Sequence, residues 1–326
     1  MRSYLKWVTS GLLVLMIGLA ACAPPTGPVA PAAQEDNSVR FGVLPILDVV
    51  PAYVAEQEGY FEELGLDVEL VPVKSAQERD TLMQTGQIDG QLNELLATAL
   101  FNKETPRVKV VYVARKSQPG APLFRILAAP GSDLRTPADL KGVPIGISQN
   151  TIIEYITDRM LRGEGLTPEE IVYTEVSAIP VRFELLMKGQ IQAATLPDPL
   201  AQGAMAGGAT LIVDDSKYQD FSLSTVSFST KALTEKPGTV RKFLQAWDRA
   251  ARAINENPDA YRGLLVEKGR VPESIAETFT IPPYPVGEIP TEAQAADVVT
   301  WLLEKGLIDR EMTYDELVDP GFLPEP

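Results

Sequence analysis

The 326-residue sequence contains no histidine and a single cysteine, Cys22. Without histidine, the chain lacks the commonest general base, the usual transition-metal ligand and the partner of a Ser-His or Cys-His nucleophile. A lone cysteine also excludes an intramolecular disulfide and a multi-thiolate zinc site. Neither a Gly-rich phosphate loop nor a nucleophile-elbow motif is present. These absences predict a binding protein without catalytic residues, metal or cofactor; catalysis by a carboxylate pair or by a Ser-Lys dyad is the alternative.

Basic residues are also scarce, because 29 Lys and Arg stand against 44 Asp and Glu, for a net charge of −15. An acidic chain without a basic cluster repels phosphate backbones, so the composition argues against nucleic acid as a partner. Hydrophobic residues make up 45% of the sequence, enough for a substantial core in one large or two medium domains.

The single cysteine lies where a charged and apolar N-terminus gives way to a Pro-rich stretch. Arg2 and Lys6 precede the apolar run 12–19, and small residues lead into Cys22. This is the layout of a secretory signal, too short to span a bilayer stably, and Leu-Ala-Ala-Cys resembles the bacterial lipobox. We predict a signal peptide at 1–21, a lipid anchor at Cys22 and an extracytoplasmic position at the cell membrane. The alternatives are an uncleaved anchor helix or an ordinary signal with an incidental thiol.

Residues 22–38 are rich in Pro and Ala without apolar periodicity, which predicts a flexible tether. In the rest of the chain, short apolar or β-branched runs alternate with helix-capping sequences. The predicted strands are 39–44, 68–71, 108–113, 124–128, 145–147 and 210–213. The predicted helix starts are at Ser75, Thr136, Thr167 and Thr291. This alternation indicates an α/β fold with mostly parallel sheets.

A short internal repeat divides the folded part into two halves. Gly86-Gln87-Ile88 recurs 103 residues later as Gly189-Gln190-Ile191. Upstream, a strand pattern around Gly42 that leads into a helix is echoed around Gly146. Because the repeated elements follow one another in the same order, we predict two α/β halves built alike.

In open α/β sheets, ligands bind beyond the carboxyl ends of the strands, where helix N-termini face outward. Applied to each half, this rule selects the loops at 45–48, 92–94, 148–151 and 196–199. The candidate ligand-binding residues are Asp48, Tyr53, Asn93, Glu94, Ser148, Gln149, Asn150, Thr151 and Asp198. Helix capping, a plain turn or core packing is the simpler alternative for each of them.

The four loops contain three acids and no Lys or Arg. They favour a neutral or amine-bearing, partly apolar or heterocyclic metabolite over a small, strongly anionic solute. Because helix N-termini hold anions unaided, a sulfonate- or nitrate-type anion stays open. Arg125 and Arg182 could contact a ligand carboxylate or acids of the protein, and the acidic composition favours the second.

Five stretches carry a resemblance to a known family. They are GVLPILDVVPAYVAEQEGYFEELGLDVELVPV at 42–73, GQIDG at 86–90, DLKGVPIGIS at 139–148, AIPVRFELLMKGQIQAATLPDPLA at 178–201 and YDELVDPGFLP at 314–324. The chain resembles the solute-binding lipoproteins of ABC importers, in the branch of thiamine-pyrimidine-precursor, alkanesulfonate, taurine and nitrate binders. The first loop lacks the Trp and His of that family, which argues against a thiamine precursor as ligand.

The resemblance implies a type 2 periplasmic-binding fold, with two α/β lobes joined by two crossing strands and closing over a small molecule. It places lobe 1 at 39–119 plus 225–326 and lobe 2 at 120–224, with crossings near 119–124 and 223–229. It implies a monomer with a small-molecule ligand and with ABC permease and ATPase subunits as partners. The alternatives are an extracytoplasmic enzyme of thiamine-precursor metabolism, with the loop acids as acid–base groups, and a sensor lobe for a membrane receptor.

Overall fold

The structure is a computed structural model that describes residues 36–325. The predicted signal peptide at 1–21, Cys22 and most of the predicted tether lie outside these residues. Within them, ten strands form two five-stranded sheets. The strands are β1 (Ser38–Val43), β2 (Asp67–Pro72), β3 (Gly90–Asn93), β4 (Val108–Lys116), β5 (Phe124–Ala128), β6 (Pro144–Ile147), β7 (Val172–Glu175), β8 (Ala193–Pro197), β9 (Thr210–Asp214) and β10 (Leu223–Ser229).

Helices connect the strands and cover both sheets. The α-helices are α1 (Val50–Gln57), α2 (Tyr60–Glu63), α3 (Ala76–Gln84), α4 (Leu95–Phe101), α5 (Ile152–Gly163), α6 (Ile179–Met187), α7 (Leu200–Ala206), α8 (Thr230–Glu235), α9 (Pro237–Glu256), α10 (Arg262–Lys268), α11 (Glu292–Glu304) and α12 (Tyr314–Leu317). Short 3-10 helices occur at Leu47–Val49, Pro137–Leu140, Pro168–Glu170, Asp215–Lys217, Gln219–Phe221, Pro258–Tyr261, Glu273–Ile275 and Pro320–Phe322.

Each sheet has four strands that run in one direction and one that runs in the opposite direction. The first sheet has the order β2-β1-β3-β10-β4, and the second has the order β7-β6-β8-β5-β9. β10 is antiparallel to β3 and β4, and β5 is antiparallel to β8 and β9. The other neighbours pair in parallel, with Phe41 opposite Leu70 and Ile145 opposite Tyr173. The predicted α/β fold with two mostly parallel, helix-flanked sheets is confirmed.

The internal repeat of the sequence corresponds to the same turn and the same side-chain packing in both halves. Gly86 and Gly189 both have a positive φ, 70° and 66°, in the turn before the third strand of each sheet. Ile88 then packs over Gly42 of β1, where an added Cβ would lie 2.9 Å from its Cδ1. Ile191 packs over Gly146 of β6 in the same way, at 2.7 Å. The two halves therefore share one strand, turn and helix arrangement.

The chain passes between the two sheets twice, at 117–123 and at 215–222. The first passage overlaps the predicted crossing at 119–124. The second lies earlier than the predicted crossing at 223–229, because that segment is β10 and pairs within the first sheet. The predicted second lobe, 120–224, thus includes two residues that belong to a strand of the first sheet.

The buried carboxylate of Asp215 joins the two passages. It accepts hydrogen bonds from the backbone N–H groups of Leu123 and Phe124, each at 3.0 Å, and from Ser117 Oγ at 2.9 Å. Ser222 Oγ, on the return passage, also donates to it. Burial raises the pKa of Asp215 to about 6, and the hydrogen bonds of the four donors oppose this rise. One side chain therefore fixes the geometry at which the chain enters and leaves the second sheet.

Apolar stripes on the helices pack against the sheets, as the helix α9 shows. Phe243, Leu244, Trp247 and Ala250 of α9 are fully buried, and the ring centres of Phe41 and Phe243 are 4.9 Å apart. Between residues 36 and 325, no helix has both the length and the apolar character needed to cross a bilayer.

Two of the four capping sequences begin α-helices and two do not. Ser75 and Thr291 cap α3 and α11, each accepting a backbone N–H three residues on. Thr136 and Thr167 form capping boxes too, but only a single 3-10 turn follows each of them. After Thr136 the helix stops because Gly142 has φ 72° and a strand that begins with proline follows.

Candidate functional site

A small cavity of about 50 Å³ lies between the two sheets, at the carboxyl ends of β1, β3, β6 and β8. Elements of both sheets contribute to it, and its lining consists of Leu44, Ile46, Asp48, Ala76, Arg79, Leu92, Asn93, Glu94, Phe124, Ser148, Thr151, Ile152, Ile153, Ser177, Ile179, Arg182, Pro197 and Ser224. Phe124 and Ser224 lie at the start of β5 and β10, so the two strands that follow the passages between the sheets begin in the cavity wall.

Five of the predicted site residues line this cavity: Asp48, Asn93, Glu94, Ser148 and Thr151. Glu94 and Ser148 each follow directly on a parallel strand, β3 and β6, which is where the strand-end rule places ligand contacts. Thr151 also caps α5, since its Oγ1 accepts the N–H of Ile153 at 3.2 Å. Capping and a position in the cavity wall are therefore compatible for this residue.

The other four predicted residues lie elsewhere. Gln149 and Asn150 are exposed, and their backbone N–H groups donate to Glu175 and Glu154. Asp198 is buried directly after β8, beside the cavity-lining Pro197, but does not line the cavity itself. Tyr53 lines a separate outer groove between the two halves.

Each of the three predicted acids is paired with a buried arginine. The pairs are Asp48 with Arg115 at 3.4 Å, Glu94 with Arg79 at 2.8 Å, and Asp198 with Arg125. Burial raises the pKa of Glu94 and of Asp198, and the charge of the paired arginine opposes the rise in both. The preference for an amine-bearing ligand assumed three free acids, and that premise does not hold, because strands and helices outside the loops supply the bases.

Two arginines lie in the cavity wall: Arg79, which the sequence analysis does not name, and Arg182, for which it favours acids of the protein over a ligand as the partner. Arg79 and Arg182 are each the fourth residue of a helix, α3 and α6, and both are almost completely buried. Their spacing is 103 residues, the same as that of the Gly-Gln-Ile repeat. Extending the repeat upstream by seven residues would have identified them as equivalent positions.

The surroundings of the two arginines differ. Arg79 contacts both Glu94 and Asp80, each at 2.8 Å. Arg182 is fully buried, and its one hydrogen bond runs from Nη1 to the carbonyl oxygen of Val176, at 2.7 Å. Its Nε and Nη2 have no hydrogen-bond partner within the described chain. Burial lowers the pKa of Arg182 to about 10, and the charge of Glu175 opposes this shift only in part.

An open groove of about 740 Å³ adjoins the cavity and is lined from both halves, with Leu44 shared between the two linings. Its charged side chains are Lys74, Lys268, Arg270, Glu184 and Glu267. Lys268 Nζ lies 5.3 Å from the ring centre of Tyr53. The groove therefore has one more base than acid, in a chain with a net charge of −15.

Polar contacts join the two halves around the cavity. Gln77 of α3 donates to Ser148 Oγ at 2.8 Å. Helix α11, which packs on α4 beside the first sheet, also contacts α5 beside the second, where Trp301 Nε1 donates to Asp158 at 2.9 Å. Among residues 36–325, no group of three or more His, Cys, Asp or Glu side chains could hold a metal ion.

The model of the NMT1/THI5-like family matches residues 47–261 of the chain. The formylaminopyrimidine-binding protein of Halalkalibacterium halodurans is 30% identical over 181 residues, covering 53% of this chain and 50% of that protein. The chain thus matches about half the length of this curated relative.

Solved structures share the whole architecture at low sequence identity. The alkanesulfonate-binding protein SsuA from Xanthomonas axonopodis pv. citri, bound to MOPS, has a TM-score of 0.73 and 19% identity over 87% of this chain and 99% of its own. The desulfurization enzyme DSZB has a TM-score of 0.65 and 15% identity over 88% and 97%. At such identities these structures show the fold and leave open whether a protein of this architecture binds or converts its ligand.

Proposed function

We propose, since this chain belongs to the NMT1/THI5-like family, that it is the solute-binding component of an ABC importer and captures a small organic molecule between its two halves. The single observation that carries the proposal is the cavity at the strand ends of both sheets, in a chain that passes between those sheets twice. The resemblance to solute-binding proteins is confirmed for the family and the fold. Delivery to permease and ATPase subunits is the remaining part of the proposal.

A hinge motion follows from the size of the cavity. Its volume of about 50 Å³ is several times smaller than the roughly 300–1,000 Å³ of ordinary ligand pockets. A metabolite therefore enters only when the halves separate, and the passages at 117–123 and 215–222 are the segments about which they rotate. Contacts such as Gln77 with Ser148 belong to the closed state. A ligand that touches both halves favours this state.

The ligand test compares two neighbouring residues, of which Ser148 lines the cavity and Gln149 is exposed. We expect one class among pyrimidines, alkanesulfonates, nitrate, vitamins and amino acids to raise the melting temperature of the full chain by about 5–10 °C when saturating. Ser148→Leu should abolish this shift, because Ser148 lines the cavity, whereas the exposed Gln149→Leu should keep it. Equal shifts in both variants would place the binding site outside the cavity.

The lipid anchor is a further part of the proposal. A mature chain that begins at Cys22 would have a net charge of −17, since Arg2 and Lys6 are removed with no acid. We expect Cys22→Ser to move the protein from the membrane fraction to the soluble extracytoplasmic fraction and to stop incorporation of labelled palmitate. Membrane retention without label in the variant would instead support an uncleaved anchor helix.

An extracytoplasmic enzyme is the competing function, and the fold of DSZB shows that it deserves a test. The pairing of Glu94 with Arg79 and of Asp48 with Arg115 weighs against it, because these acids already have charged partners. Incubating the purified chain with the stabilising compound decides between the two. Recovery of the compound unchanged after many equivalents supports binding, and product formation would overturn our proposal.

A further inference from the structure

Resting on the solute-binding function proposed above, we propose that the ligand carries a single oxyanion group, a carboxylate or sulfonate, and that Arg182 binds it through Nε and Nη2. This assigns the anion contact to the second half of the molecule. It also reverses the ligand charge that the loops alone suggest.

The free edge of Arg182 has the right shape for this role. Nε and Nη2 form one side of the planar guanidinium, and two parallel N–H donors there match two oxygens of a carboxylate or sulfonate. Both nitrogens are buried and have no hydrogen-bond partner within the described chain, while Nη1 is held by Val176. The carbonyl of Val176 thus holds one nitrogen of a residue that lines the cavity, and the two-donor edge of its guanidinium keeps both of its N–H groups for a ligand.

Comparison of the two halves shows why this arginine lacks an acid. In the first half, Glu94 follows β3 and pairs with Arg79 of α3. In the second half, Asp198 follows β8 at the equivalent place but pairs with Arg125 of β5. The strand that corresponds to β5 in the first half, β10, contains no arginine. The acid that would neutralise Arg182 is therefore taken by another base, and Arg182 has no ion-pair partner among residues 36–325.

Two features of the surroundings fit an organic anion. Ser224 Oγ, from the first half, is also buried in the cavity wall without a hydrogen-bond partner among residues 36–325, so it offers a second polar contact across the cavity. The adjoining groove carries three bases and two acids although the chain is strongly acidic. Such a local excess of positive charge attracts anions toward the groove beside the cavity.

The test uses head-group probes small enough for the closed cavity. Sodium acetate and sodium methanesulfonate are compared with sodium chloride at equal ionic strength, by thermal shift of the full chain. Pentanoate, pentanamide and pentylamine are then compared, because they carry an anionic, a neutral and a cationic head group on similar alkyl chains. We expect acetate, methanesulfonate and pentanoate to stabilise the wild type beyond chloride, and the amide and the amine to have no such effect.

Substitutions of Arg182 test whether this side chain binds the anion. Arg182→Met should weaken binding of the best anion at least 30-fold, and Arg182→Lys, which keeps the charge but not the paired donors, about 10-fold. Arg241→Met, at an exposed arginine over Phe322, is the matched control and should change affinity less than 2-fold.

The outcomes separate this inference from the function on which it rests. Tighter binding of the amide or the amine than of pentanoate, no stabilisation by any anion, or anion binding in Arg182→Met within 3-fold of wild type would each overturn the oxyanion assignment. A neutral compound whose effect is lost in Ser148→Leu but kept in Arg182→Met would overturn it while supporting the solute-binding function. Loss of anion stabilisation in Arg182→Met and in Ser148→Leu supports both.

Discussion

Arg79→Met should lower the free energy of unfolding by about 3–5 kcal/mol, whereas Arg182→Met, at the equivalent position of the other half, should raise it by about 2 kcal/mol. The first loss follows from the ion pair of Arg79 with Glu94. Removing one partner leaves a buried carboxylate without its counter-charge, which is among the costliest changes in a protein interior.

The expected rise in the free energy of unfolding of Arg182→Met has the opposite cause, because this substitution removes an unpaired buried charge instead of creating one. Burial disfavours the charged form of Arg182 and lowers its pKa from the ordinary arginine value to about 10 in the folded chain. At neutral pH the unfolded chain carries this charge in water, so folding pays about 3 kcal/mol for it at 1.36 kcal/mol per pKa unit. Methionine removes that cost. It also loses the hydrogen bond to Val176, which reduces the gain in stability by about 1 kcal/mol.

Urea unfolding at pH 7, without ligand, measures both changes. Arg241→Met controls for loss of an exposed arginine and should stay within about 0.5 kcal/mol of the wild type. A loss of stability in Arg182→Met comparable to that in Arg79→Met would show that Arg182 is held by the fold itself. It would then not be the uncompensated charge from which the oxyanion site is inferred.

Much of the architecture could be predicted from local patterns. The β-branched runs mark β1, β2, β4, β5, β6 and β9, and the Gly-Gln-Ile repeat marks equivalent turns because only a residue tolerant of positive φ fits there. The stripe on α9 could be predicted because burial of one helix face leaves a period of 3.6 residues. Each of these features depends on residues close together in the sequence.

The charges of the site could not be predicted in the same way. Whether Asp198 neutralises Arg182 or Arg125 depends on which strand lies next to β8, and β5 reaches that place only through the sheet order. The second crossing was misplaced for a related reason, since β10 resembles a connecting segment until its pairing with β3 and β4 is known. Long-range pairing thus decides both which arginine of the second half is neutralised and where the chain passes between the sheets.

Asp215→Asn should destabilise the chain most at low pH, by a margin over wild type that grows by about 2 kcal/mol between pH 7.5 and pH 4. The pKa of Asp215 is about 6 in the folded chain against 3.8 for an ordinary aspartate. Between these values the folded chain keeps a proton that the unfolded chain has released, so this group's contribution to stability is full below pH 4 and lost as the pH rises through 6. Asparagine does not titrate and lacks this dependence.

Asparagine also presents an amide NH₂ in place of one carboxylate oxygen. Leu123 or Phe124 then loses the acceptor of its backbone N–H, which adds about 1–3 kcal/mol of destabilisation at every pH. Unfolding of wild type and Asp215→Asn between pH 4 and pH 7.5 measures both effects, with the exposed Asp220→Asn on the same passage as control. A margin that stays constant with pH would contradict the raised pKa. Because Asp215 ties the two passages together, we expect the variant that loses it also to bind ligand more weakly, since the passages then hold the two halves in more than one arrangement.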